Sequence, residues 1–594
     1  MSTERDSSGH GWFIGLLLAS SLTFYILFFL AIPRLPTNVT LQTDGKRSTQ
    51  RINLPLIRAS STKPLHISLS QQFLPFQSAV FRFVPDDCVT ALSVNGKRLT
   101  PFCTFGSSKD INLKPWLQFG KNTLDITIED RRPTRMGIDV FASSESALPS
   151  TLHLLAILTL VAALTTLLLP LLGPTSRTLT PIFIAGVVLR VCYGLSTPWW
   201  VRSYDTGAHI DYIRFIATHG SLPSPTGWET HQAPLFYVAA APFVWLGNVL
   251  HLPEAIPLTV IQDLSLFISI VGLGLLLGII TRFFSEKSDR WETIIAAVCA
   301  VSFPGLVMIS SRISNDPLAL ATGLLFAFVF LRFWRERTRF SLWIASSVIA
   351  LGIITKTNAY LFIPTLCICI LCMREIGWKK KFRWLVESGV IVGILAGWYP
   401  LLRFLEQGMK HFSFGTDILK NDPSLQVGQS FSAYTVFNPL SIITHPFTSS
   451  RIAGLGKEHL WEYFFKTALF GEFSYSHSLL WTSRPLVVVT LCMLCVVATG
   501  MIVSIHRKDR YAFPMLTLAA VLLGGAMLFR GLYAYSCTQD FRMSILLVVP
   551  LLYFVIQAMT ALPPRFARIT RWTAVAFGAC AAAFLIHVII VSLL

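Results

Sequence analysis

The chain is 594 residues long and 53% hydrophobic, with 49 Lys and Arg against 31 Asp and Glu. Charged residues make up 13% of it, about half the ~25% of a soluble domain, and the mean hydropathy is +0.59. A soluble enzyme, a disordered chain and a disulfide-stapled scaffold are excluded. The net charge of +18 lies mostly in short clusters between apolar runs, where it reports topology rather than a nucleic-acid partner.

Apolar runs near the length needed to cross a bilayer recur at 11–32, 150–172, 178–196, 257–282, 291–310, 316–334, 340–355, 358–374, 384–403, 484–505, 511–530, 541–561 and 571–594. Residues 234–252 are nearly as apolar, and the positive-inside rule decides whether they count. With 234–252 not crossing, the inside loops hold 20 Lys and Arg and the short outside loops 6. Counting them as a crossing would put the later basic clusters outside, against the rule. The expectation is a polytopic α-helical membrane protein of about thirteen spans, N-terminus inside, with 234–252 an amphipathic or re-entrant helix at the outer surface. Residues 1–32 read as a signal anchor, since the apolar core is long for a cleaved signal and no small-x-small site follows it. Then come an external domain (33–149), a membrane core (150–403) with an outer loop at 197–256, a second outer loop (404–483) and the last spans (484–594).

Within 33–149 the stretches HISLS, AVFRFV, ALSVNGK, NTLDITIED and GIDVFAS alternate apolar and polar residues, the pattern of an antiparallel β-sandwich. Asn95-Gly96 stands where a tight hairpin turn would. Cys88 and Cys103 lie outside the membrane, where a disulfide between them is expected. Of the remaining nine cysteines, eight lie in apolar spans, where Cys is a common small buried residue. Cys367, Cys369 and Cys372, and likewise Cys492 and Cys495, lack the acidic or His company of a metal site. One N-x-T sequon, Asn38-Val39-Thr40, is external.

Ionisable groups at the membrane are costly and therefore candidates for function. Several fall at one level, the outer ends of spans: Asp205 and His209, four apart and so on one helical face; His231 and Gln232; Arg312, Asn315 and Asp316; Lys356; Asp540 and Arg542. Each also has a structural reading. Asp205 and Asp316 stand where helix N-caps would, Lys356 and Arg542 where side chains reach lipid phosphates, and His231 and Gln232 where interfacial polar anchors sit. In the 404–483 loop, Arg451, His459 and Glu472 are candidates for groups that close over a site.

Two resemblances follow from these residues. DDCVTALSVNGKRL with INLKPWLQFGKNTLDITIED resembles the jelly-roll carbohydrate-binding modules found beside many glycosidases. The order Tyr204-Asp205, His-Gln-Ala-Pro-Leu-Phe-Tyr, Ser-Arg-Ile-Ser-Asn-Asp-Pro-Leu-Ala and Thr-Lys-Thr-Asn resembles, over about 178–400, the GT-C membrane glycosyltransferases. The nearest branch is the polyprenyl-phosphate-sugar users, such as protein mannosyltransferases and lipid A aminoarabinose transferases. The resemblance implies catalytic roles for Asp205, as base, and for Asp316. It implies that Lys356 and Arg542 hold the phosphate; His209, His231, Gln232 and Asn315 are substrate-binding candidates from their place at the same outer level, and Arg451 from the second outer loop. The chain departs from the family where His231-Gln232 and Ala233 replace a charged pair and a proline, and where Thr206 replaces a second acid. These departures leave dependence on a divalent metal open.

The implied activity is transfer of one sugar from a polyprenyl-phosphate carrier to a lipid, glycan or protein acceptor on the outer face of a membrane, most naturally a bacterial cytoplasmic one. A carboxylate at that level can take the acceptor's proton, and a cation can stabilise the leaving phosphate. No P-loop or Gly-rich dinucleotide turn supports a soluble nucleotide-sugar donor. Two rivals remain: a ligase that transfers a whole oligosaccharide from a diphosphate carrier, and a flippase or transporter with a sugar-binding ectodomain. The transporter predicts polar groups near the midplane and repeated spans; the polar groups here cluster at one edge, and no repeat is evident.

Overall fold

The computed structural model describes residues 4–32, 39–43, 46–50, 56–59, 64–85, 88–103, 109–129, 135–142, 147–202, 205–285, 290–408, 422–452, 454–473 and 475–593. Asn38 of the sequon and Tyr204 lie outside them. The chain divides into two compact units, Met1–Thr166 with Pro242–Val260, and Leu167–Ala241 with Ile261–Leu594.

The first unit carries the helix Glu4–Leu30 and eleven strands: β1 (Val39–Thr43), β2 (Lys46–Gln50), β3 (Leu56–Ala59), β4 (Leu65–Phe73), β5 (Val80–Pro85), β6 (Cys88–Val94), β7 (Lys97–Leu99), β8 (Phe102–Cys103), β9 (Lys109–Asn112), β10 (Gly120–Glu129) and β11 (Arg135–Ala142). They form two antiparallel sheets, β2-β1-β4-β10-β6-β7 with β8 on β6, and β3-β11-β5-β9. The alternation read in the sequence is the cause. Leu65, Ile67 and Leu69 of β4 stand opposite Ile128, Ile126 and Leu124 of β10, and all six are buried in one core. Asn95 and Gly96 take positive φ of 51° and 81° between β6 and β7, the turn an Asn-Gly pair favours because both central residues need the left-handed region. The expected disulfide joins Cys88 to Cys103, which are opposed residues of β6 and β8.

Asn122, fully buried, explains the Leu-x-Pro-Trp-Leu-x-x-Gly-x-Asn run. Its amide donates to the Gln118 and Gly120 carbonyls, and its Oδ1 accepts from the Gln118 N–H and from Asn95 Nδ2 at 2.8 Å. One side chain thus fixes the turn into β10 and ties it to the β6–β7 hairpin.

Among the described residues, nine helices are long and apolar enough to cross a membrane, and Trp378–Ala396 with Trp398–Glu406, bent by 57°, makes a tenth if counted as one span. The protein is an integral, multi-pass membrane protein. The predicted spans at 291–310, 340–355 and 358–374 are helical but shorter, at Trp291–Ser302, Arg339–Ile353 and Thr357–Cys372, below the ~20 residues of a full crossing. The first is cut by Phe303, extended before Pro304, as a residue preceding proline tends to be. The helix at 234–252 runs only over Leu235–Val249 with Pro242 inside it, also short of a crossing.

Candidate functional site

All the candidate residues lie in the second unit, and chain breaks position them. The helix Arg339–Ile353 ends and a short 3₁₀ turn, Thr357–Leu361, begins, with Lys356 extended between them at φ −156° and ψ 136°. The Lys356 N–H donates to the Gly352 carbonyl at 2.8 Å, so the end of one helix holds the lysine's backbone. Asp205 is the N-cap of the helix Thr206–His219, yet its side chain makes no capping bond. Asp316 opens the helix Asp316–Glu336, with Pro317 in its first turn. Arg542 follows Asp540, whose Oδ1 accepts the arginine's own N–H at 2.9 Å.

These four meet, together with Asp540, in one electrostatic cluster. Lys356 Nζ bonds Asp316 Oδ1. Arg542 lies 3.6 Å from Asp316 Oδ2, 3.9 Å from Asp205 Oδ2 and, through Nε, 3.1 Å from Asp540 Oδ2. Two cations and three carboxylates therefore meet, Asp316 and Asp540 buried and Asp205 partly exposed at 31%, where Coulomb terms are stronger than in bulk water.

The cluster opens on a cavity of about 660 Å³, within the range of small-molecule sites. Asp205, His231, Gln232, Lys356, Arg451 and Arg542 line it. Another part of the wall is carbon: Leu361, Ala526, Leu528, Phe529 and Leu532. The remaining predicted residues, Asp316, Asn315 and His209, are buried but not in the wall. Asp316 is 4% exposed and serves the two cations, so it acts through them. Asn315 donates to Gln232 Oε1 at 3.2 Å and to the Thr355 carbonyl at 3.3 Å. His209 bonds Tyr237 through Nδ1 at 2.8 Å and stacks on its ring. Of the loop candidates, Glu472 lines the cavity. Arg451 also sits 3.8 Å from Asp422. His459 does not line the cavity; it lies at the start of the helix Leu460–Phe470, its Nδ1 3.3 Å from the Ser432 carbonyl.

The loop bearing His231 and Gln232 is pinned from the bent helix pair. Tyr399 donates to the carbonyls of His231 and Gln232 at 3.0 and 2.8 Å. Arg403, fully buried, donates to those of Pro223 and Thr230. At the start of the next helix the Leu235 N–H reaches the Ile354 carbonyl, two residues from Lys356.

Trp228, Glu229, Asn358 and Phe473 also face the cavity, and of these sequence reasoning singled out only the Thr-Lys-Thr-Asn link that holds Asn358. Burial raises the Glu229 carboxyl to about 8, with Asp205 adding to the rise and Arg542 and Lys356 opposing it. Glu472 is pushed up to about 7, by burial first and Asp540 second. Burial lowers His209 and His231 to about 4. At neutral pH the imidazoles are therefore uncharged, and the positive charge of the wall comes from Lys356, Arg451 and Arg542. No group of three or more His, Cys, Asp or Glu able to hold a metal ion occurs among the described residues.

No family model and no curated protein matches the chain. Solved structures that resemble it include the arabinosyltransferase EmbB from Mycobacterium smegmatis, at 13% identity and a TM-score of 0.34, over 99% of this chain and 64% of that one. Another is ArnT from Cupriavidus metallidurans in the apo state, at 12% identity and a TM-score of 0.33, over 69% of this chain and 78% of that one. The chain thus spans less than two thirds of the length of EmbB. At that overlap neither structure assigns a chemistry to this chain; the cavity has to do so.

Proposed function

We propose that the chain is a membrane glycosyltransferase of GT-C type that moves one sugar from a polyprenyl-phosphate carrier to an acceptor hydroxyl at the outer face of a bacterial cytoplasmic membrane. The observation that carries this is the double character of the cavity. Lys356 and Arg542 stand in a wall that also contains Leu361, Ala526, Phe529 and Leu532, which suits a ligand with an anionic head on an apolar chain. The acceptor oxygen attacks the anomeric carbon while the bond from that carbon to the phosphate oxygen breaks. The bonding pair leaves with the phosphate, and the acceptor's proton passes to Asp205. Charge grows on the phosphate as the bond breaks, so the two cations stabilise the transition state more than the ground state. Asp316 is a positioning residue that holds both cations, and Asn315 and Tyr399 set the Gln232 loop. Attack from the face opposite the phosphate inverts the anomeric centre.

The test is transfer of labelled sugar from a panel of polyprenyl-phosphate sugars into cell-envelope fractions, with membranes carrying wild type or Asp205→Asn at matched expression. One donor is consumed by the wild type, and transfer falls at least about a hundredfold in the variant, as for loss of a general base. Equal consumption by both removes Asp205 from the mechanism. Consumption only of diphosphate-linked oligosaccharides makes the protein a ligase.

A further inference from the structure

Most of the buried carboxylates in the second unit are answered by a cation. Glu462 pairs with Lys466 at 2.9 Å and accepts from Ser441 Oγ, Glu292 pairs with Arg571, and Asp316 with Lys356. Glu229 differs. It is 7% exposed, it lines the cavity, and its Oε2 is buried with no hydrogen-bond partner. A carboxyl oxygen left so costs stability. Glu292 also leaves Oε2 without a partner, but its other oxygen is paired with Arg571, whereas Glu229 has no ion pair among the described residues and faces a cavity. The groups that act on it are those of the proposed chemistry, Asp205, Arg542 and Lys356. Tyr237 and Cys537 also feel it. A donor sugar lies between the phosphate that the two cations take and the hydroxyl that Asp205 deprotonates. Glu229 couples to all three of these residues from the same wall, which its neighbour Trp228 also lines.

We propose that Glu229 binds the sugar of the donor: its carboxyl hydrogen-bonds a ring hydroxyl while Lys356 and Arg542 take the phosphate and Asp205 takes the acceptor's proton. The assignment rests on the transferase reading and adds to it the group that recognises the sugar rather than the lipid. Because burial holds this carboxyl at about 8, it is the acid form that meets the sugar at neutral pH, with O–H as donor and C=O as acceptor. Above that pH the donor is lost and a charge appears in its place.

The experiment is equilibrium binding to the full-length protein in detergent. Two sets of ligands are used: short-chain polyprenyl phosphates each carrying one pentose or hexose, and the same polyprenyl phosphate without sugar. The wild type binds one sugar-bearing lipid about tenfold or more tighter than the bare one, the size of one buried hydrogen bond made or lost. Glu229→Ala abolishes that preference and leaves affinity for the bare lipid unchanged, which also shows that the variant is folded. Glu229→Gln, which keeps a donor and an acceptor at the same place, retains most of the preference and loses the weakening that the wild type shows as pH rises through about 8. A preference that survives Glu229→Ala, or an equal loss for both lipids, overturns the assignment and leaves the transferase reading standing. A wild type that does not distinguish any sugar-bearing lipid from the bare one overturns both.

Discussion

Lys356 and Asp316 form a nearly dry pair, their side chains 6% and 4% exposed. Removing one member of such a pair leaves a buried charge with less compensation, typically at a cost of about 3–5 kcal/mol, whereas removing both is often close to neutral. Arg542 still lies 3.6 Å from Asp316, so Lys356→Met is expected to cost about 3 kcal/mol, the low end of that range. The double variant Lys356→Met with Asp316→Asn should recover most of the stability and none of the transfer. Thermal unfolding of the detergent-solubilised variants beside the transfer assay separates the two roles; a double variant no more stable than the single one would show that Asp316 is held by Arg542 alone. This pair illustrates what sequence reveals at the residue scale. Asp205, Asp316, Lys356 and Arg542 were legible because ionisable groups at span ends are few and conspicuous. That Asp316 stands behind the cavity while Glu229 stands in its wall was not, because both are acids near span ends and only packing decides which one faces the space.

Backbone breaks, more than regular helices, deliver the side chains. The link from Ile353 to Thr357 places Lys356, and it is packed tightly: a Cβ on Gly352 would come within 2.9 Å of the Ala359 Cβ and 3.5 Å of the Phe362 ring. The Gly352 carbonyl also accepts the Lys356 N–H. Gly352→Ala should therefore push the 3₁₀ turn away and misplace the ammonium group. Overpacking of this kind costs about 1–3 kcal/mol, and a displacement near 1 Å can cost about a hundredfold in rate. The expected outcome is a folded protein whose turnover falls at least about tenfold, measured as transfer per mole of monodisperse protein; unchanged turnover would mean that the link yields without moving Lys356. The same breaks explain where the span predictions departed from the structure. Hydropathy marked 340–355 and 358–374 as separate crossings from apolar content alone. It marks nothing of the turn geometry that joins them, nor of the bend of 57° between Trp378–Ala396 and Trp398–Glu406, on whose far side Tyr399 and Arg403 reach the loop at 223–232. Pro400, in the second of these helices, removes one helical donor, a recognised cause of a kink.

At the scale of the whole molecule, charge and redox chemistry point to the same topology. A Cys88–Cys103 bond is expected to form in an oxidising compartment, so it predicts a sandwich outside the cytoplasm. The cluster Lys379, Lys380, Lys381 and Arg383 is the densest of the basic clusters and belongs inside by the positive-inside rule. The two inferences are independent, since one rests on sulfur chemistry and the other on the cost of moving basic loops across the membrane. Together they predict opposite labelling in intact cells. In a background with the nine free cysteines replaced by alanine, a cysteine at Phe119, 75% exposed on the sandwich unit, should react with a membrane-impermeant maleimide before permeabilisation. A cysteine at Lys380 should react only after it. Reaction of both from the same side would change the parity of the crossings between them. The proposed donor site would then no longer be tied to the side on which the sandwich lies, because Asp205 and Lys356 fall between the two labels in the chain.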